Sequence, residues 1–176
     1  MERRTILKLV AAGVLPGSGS LVQIACRQDT FTPEFFSVSE FNMLDSLTEM
    51  ILPSDDHSAG ARAAKVARYI DVVAADATAN TQARWRSGLE AVSALTEERF
   101  ERDFVKCDAA QQDQIVAEIS RNEESPGNEA ERFFSLLKHA TIDGYYTSQV
   151  GIDEDLGYQG NTAIDEFPGC AHEEHA

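Results

Sequence analysis

The sequence predicts an all-α fold: a compact bundle of about five helices with an irregular, Gly-rich C-terminal tail. Three observations carry this. Apolar residues recur at three- and four-residue spacing through residues 37–146. Ser37/Glu40, Asp108/Gln111 and Asn128/Glu131 place a capping side chain three residues before a carboxylate or amide at the head of three of those runs. No stretch alternates apolar and polar residues long enough to make a strand. With 176 residues, 43% of them hydrophobic and 26% charged, the chain can bury one core but not two.

The first helix starts at the Ser37/Glu40 capping box and carries Phe41, Leu44, Leu47, Thr48 and Ile51 on one face until Pro53 stops it. A second runs from about Gly60 to Ala79, with Val66, Ile70, Val73 and Ala77 turned inward. Trp85, Leu89, Val92 and Leu95 mark the third. Phe100 and Phe104 lie four apart just beyond it, on the same side of a short following helix. Asp108 with Gln111 opens the fourth, along Ile115, Val116 and Ile119, and Ser125-Pro126-Gly127 breaks the chain after it. Asn128 with Glu131 opens the fifth, with Phe133, Phe134, Leu137, Ala140 and Thr141 leading to Tyr145 and Tyr146.

Residues 28–147 therefore form the bundle and 148–176 a tail. Gly151, Gly157, Gly160, Pro168 and Gly169 deny the tail a helical period. It still holds Ile152, Leu156, Tyr158, Ile164 and Phe167, which need apolar cover. Two outcomes are open: they fold back onto the bundle, or another chain covers them.

Residues 1–27 read as an export signal and linker. Arg3, Arg4 and Lys8 precede the apolar stretch Leu9–Leu15, and Pro16-Gly17-Ser18-Gly19-Ser20 follows. Arg3-Arg4 with Ile6-Leu7-Lys8 resembles a twin-arginine signal, although Glu2 and Ile6 depart from its commonest form. Both Ser18-Gly19-Ser20 and Ala25-Cys26 are candidate processing points. No window reaches the ~18–20 apolar residues of a spanning helix. The full chain has a formal charge of −15, and residues 28–176 carry 11 Lys+Arg against 29 Asp+Glu. Such a surface repels phosphate backbones, so nucleic acid is excluded as a partner.

The sequence lacks the Gly-rich dinucleotide and phosphate loops, the Cys-x-x-Cys-His haem motif and the Gly-x-Ser-x-Gly nucleophile elbow. This chain is therefore expected to have no catalytic, cofactor or metal residues of its own. Asp55-Asp56-His57 is read as a turn that caps the next helix, and Cys170-Ala171-His172-Glu173-Glu174-His175 as a solvated acidic terminus. His139 is read as a packed or surface residue. Cys170, in the tail, either pairs with Cys107 or bridges to another subunit.

Three blocks resemble the gluconate 2-dehydrogenase subunit 3 family. They are the run from Phe41 to Ala61, the segments Phe133–Lys138 and Gly144–Ser148, and the tail pieces Leu156–Asn161 and Pro168–His172. The resemblance implies a non-catalytic small subunit of a periplasmic or membrane-associated dehydrogenase. In such complexes a large subunit of the glucose–methanol–choline class binds FAD and oxidises gluconate, glucose, fructose or the 3-hydroxyl of glucosides. A cytochrome c subunit or another acceptor takes the electrons, and the small subunit carries the signal read by the twin-arginine translocase. Tyr145, Tyr146, Tyr158, Asn161 and Cys170 are the residues expected at or near the contact with the large subunit, the alternative for Tyr145 and Tyr146 being that they merely close the bundle, and Arg3 and Arg4 are those of the export signal. The rival reading is a free-standing periplasmic helical domain that binds a metal or small ligand.

Overall fold

The computed structural model describes residues 31–158, 160 and 161. Arg3, Arg4, Cys26 and Cys170 lie outside the described residues. The elements are α1 (Val38–Ile51), α2 (Gly60–Ala63), α3 (Val66–Ala75), α4 (Ala79–Phe100), α5 (Ala109–Ser120) and α6 (Glu129–Tyr146). A 3-10 turn at Phe104–Lys106 precedes α5, and a π-helical turn at Val150–Asp155 follows α6. The described residues contain no strand. The all-α bundle is as expected, with α1, α3, α4, α5 and α6 as its five longer helices.

Local chemistry sets the helix starts. Ser37 accepts from the Glu40 amide while the Glu40 carboxylate accepts from the Ser37 amide, and Asp108 and Gln111 repeat this reciprocal box. At α6 the Asn128 side chain takes the Glu131 amide at 3.0 Å. The Glu131 carboxylate does not return the bond; it accepts from the Gly127 amide at 2.6 Å and from Asn122 at 2.8 Å. These bonds fold the α5–α6 connection over the helix start and hold the Glu131 carboxyl below the usual carboxylate value.

Three boundaries differ from expectation. The second predicted helix is two, because Lys65 takes the left-handed conformation (φ 58°) between α2 and α3. Its inward face is Val66, Ala67, Ile70 and Ala74; Val73 points outward and Ala77 falls in the turn before α4. Phe100 belongs to α4, which stops at left-handed Glu101, while Phe104 sits fully buried in the 3-10 turn. The tail's irregularity starts later than Thr147, since the chain first makes the π-helical turn.

α6 packs against α1, α3, α4 and α5 and forms the axis of the bundle. An aromatic row crosses the core beside it: Phe36 meets Trp85 edge-to-face at 5.9 Å, and Trp85 meets Phe133 at 5.7 Å. Phe133 reaches that place because α4 has Gly88 there; a Cβ would stand 2.1 Å from the Phe133 ring. Leu44, Leu47, Ile70, Leu89, Ile115, Ile119 and Leu137 fill the rest. Buried Thr48, Thr96 and Thr141 return their hydroxyls to carbonyls of their own helices.

One buried carboxylate fastens the chain that leads into α1. Asp71, fully enclosed on α3, accepts from the amides of Glu34 (2.7 Å), Phe35 (3.1 Å) and Phe36 (3.0 Å). Arg86 of α4 closes the same segment from the other side. Its guanidinium lies 4.3 Å from the Phe35 ring centroid and donates to the Phe35 carbonyl at 2.9 Å. Asp71→Ala strands three amide donors. The expected loss is on the order of 3 kcal/mol of unfolding free energy in denaturant titration, and a variant as stable as wild type would contradict the assignment.

Candidate partner interface

The end of α6 sorts two adjacent tyrosines by helical geometry, since successive residues turn 100° around the axis. Tyr145 faces inward at 1% exposure, and Tyr146 faces outward at 38%. Their rings meet edge-to-face at 5.1 Å. Tyr145 was expected at the partner contact, but its ring is part of the core. Its hydroxyl hydrogen-bonds with that of Ser58, tying α6 to the loop between α1 and α2.

That loop is built on Asp55. Its carboxylate accepts from the amides of His57 and Ser58, both at 2.8 Å, which hold the carboxyl below its ordinary value of 3.8. Asp55 was expected to cap the next helix. Instead it caps its own turn, and α2 begins at Gly60, after Ala59, without a side-chain cap. Among the described residues no group of three His, Cys, Asp or Glu side chains could hold a metal ion. His139 is exposed, and its Nδ1 lies 2.6 Å from the Ser135 carbonyl one turn back.

Beyond Tyr146 the chain stays on the bundle. The Ser148 hydroxyl donates to the Tyr145 carbonyl (2.6 Å) and accepts from the Gly151 amide (3.1 Å). Gly151 is buried so closely that a Cβ would stand 2.2 Å from the Tyr145 carbonyl oxygen, so no larger residue fits this turn unshifted. Val150 packs against the core. Asp155, at the end of the turn, is close enough to Tyr146 that its carboxylate, together with burial, raises the phenol above its ordinary value of 10.0. Further on, Tyr158 donates to Asn161 at 2.7 Å.

The outcome is a small apolar surface around the tail root. Tyr146 is 38% exposed, Leu156 61%, Tyr158 52%, and Ile142 lies one turn before Tyr146 on α6. Tyr158 and Asn161 are brought together as a pair, and Tyr146 stands at the start of the same segment. Sequence reasoning did not identify Ser58 and Asp155 as the partners of the two tyrosines; nothing in the local pattern around either residue signals those contacts. Cys107 is buried, and burial pushes its thiol above the usual range, so it is held protonated at neutral pH.

Residues 38–169 match the family described as gluconate 2-dehydrogenase subunit 3. The chain belongs to this family. It is thus an accessory subunit of a dehydrogenase complex, and a dehydrogenase is its partner. No curated protein and no solved structure gives a significant match. Among the described residues no helix is long and apolar enough to cross a membrane.

The Tyr146–Asp155 interaction has a pH signature. A phenol raised in the folded state favours its neutral form, so the stability it contributes is present below about pH 10 and lost as pH rises through the folded value. Ultraviolet titration of tyrosinate is expected to show one midpoint that moves down in Asp155→Asn. An unmoved midpoint would show that the interaction does not hold the turn.

Proposed function

We propose that this protein is the non-catalytic small subunit of an exported, FAD-dependent dehydrogenase of the glucose–methanol–choline class acting on a sugar or sugar acid. It assists the folding, stability and twin-arginine export of the flavoprotein subunit. The observation that carries the reading is the family match across residues 38–169, which spans both the bundle and the start of the tail. FAD belongs to the partner, and a cytochrome c subunit completes the electron path in complexes that use one.

The geometry supports a structural role for this chain. Its buried polar side chains are engaged with one another or with backbone; among the described residues no buried side-chain nitrogen or oxygen lacks a partner. Three of the exposed apolar groups, Tyr146, Leu156 and Tyr158, lie where the tail leaves α6. We assign these, with Asn161 and Cys170, to the contact with the flavoprotein. Tyr145 holds that surface in place from inside. A subunit that binds only the folded flavoprotein stabilises it by mass action without supplying a reacting group.

The leading end fits the same role. An Arg3-Arg4 signal addresses a translocase that carries folded cargo, which suits a partner that must acquire its flavin before export. Affinity purification of the tagged full-length chain from the periplasm is expected to yield a yellow, FAD-containing large subunit. Replacing Arg3 and Arg4 by Lys is expected to lower periplasmic dehydrogenase activity at least tenfold. Sugar oxidation by this chain alone, or full periplasmic activity of the flavoprotein in a strain lacking it, would overturn the reading.

A further inference from the structure

α3 has a second apolar side. Val66, Ala67, Ile70, Asp71 and Ala74 face the core. Tyr69, Val72 and Val73 stand 40%, 47% and 49% exposed. At i, i+3 and i+4 they form one stripe rather than scattered residues. The stripe borders the tail root: the Tyr69 ring lies over Gly144 of α6, where a Cβ would stand 2.7 Å from it. Two residues after Gly144, α6 ends at Tyr146 and the tail begins.

Gly60–Ala75 holds Arg62, Lys65 and Arg68 against one acid, the buried Asp71, in a protein of formal charge −15. Arg62 is taken up by Asp45 of α1 at 2.7 Å, with Glu49 beside it. Lys65 is exposed at the N-terminal end of α3, one turn before Tyr69.

We propose that Tyr69, Val72 and Val73, flanked by Lys65, form a second docking surface for the catalytic subunit of the dehydrogenase. They enter an apolar recess whose margin is acidic opposite Lys65. This rests on the accessory-subunit reading and adds to the tail contact a second point of attachment. Two arguments set aside a second copy of this chain as the occupant. Two chains of −15 repel. The three half-exposed side chains offer only roughly 250 Å², against about 800 Å² per partner in a stable dimer. As the second contact of a chain already held by its tail, a face this size suffices, because the tail raises its local concentration to about the millimolar range.

The test titrates full-length chains against the purified FAD-containing catalytic subunit. Val72→Glu with Val73→Glu changes only exposed positions, so its melting curve should match wild type while the Kd rises at least tenfold. Lys65→Glu, which touches no packing, gives an independent reading with an expected rise of about threefold. Wild-type affinity in both variants would overturn the proposal. If Leu156→Ser with Tyr158→Ser still weakens binding in that case, the accessory-subunit reading stands without it. A wild-type chain that does not bind the catalytic subunit would overturn both. Sedimentation showing that wild type dimerises alone, while the double Glu variant is monomeric, would give the face to a second copy and overturn the proposal.

Discussion

The structure depends on one carboxylate placed where the chain enters the bundle. Three consecutive backbone amides converge on Asp71, a geometry that an extended approach segment cannot hold by itself. With those amides fixed, Phe36 is delivered to Trp85, and Trp85 in turn meets Phe133 on α6. The position of α6 then sets Tyr145, whose hydroxyl meets Ser58. A line of contacts thus runs from the residues that lead into α1 to the residues that open the tail. Each step is packing or a hydrogen bond within the folded domain.

This arrangement suits an accessory subunit because it separates two demands. Among the described residues every buried side-chain nitrogen or oxygen has a partner within the chain. The exposed apolar groups are then free for recognition, at the tail root and along α3, on a chain whose acidity opposes self-association. The edge-to-face Tyr145–Tyr146 pair and the hydroxyl bonds at Ser58 and Ser148 hold the base of the tail rigid. A rigid base lowers the ordering entropy that remains to be lost on binding.

What was legible in the sequence was local. The Ser37/Glu40 and Asp108/Gln111 boxes are written within four residues, and both form as read. The apolar period of α1, α5 and α6 finds the centre of each buried face, at Leu44 and Leu47, Ile115 and Ile119, and Phe133 and Leu137, because those helices are amphipathic and uninterrupted; it misses Met43 and Ala130, and Phe41, Ile51, Val116 and Ala140 are half-buried. The break at Lys65 was not legible, since a lysine in the left-handed region has no sequence signature; within α3 the sequence period steps three residues from Ile70 to Val73, whereas the buried face continues at four, to Ala74. Nor was Asp71, since its amide partners lie 35–37 residues away and an acid on an apolar helix face reads as a surface residue. At the candidate site, the family blocks pointed to the end of α6 and the tail. They could not say which tyrosine of Tyr145-Tyr146 points outward, because that choice is set by α6 packing against its neighbours.

The central claim is that the bundle stays as it is while its apolar margin meets the catalytic subunit. Amide hydrogen exchange, comparing the chain alone with the reconstituted complex, tests this most directly. Protection is expected to rise in the segments 142–161 and 65–76, with the amides of Glu34–Phe36 and the α4–α5 core unchanged. Protection gained chiefly across α4 and α5, or a core that becomes protected only in the complex, would contradict the account.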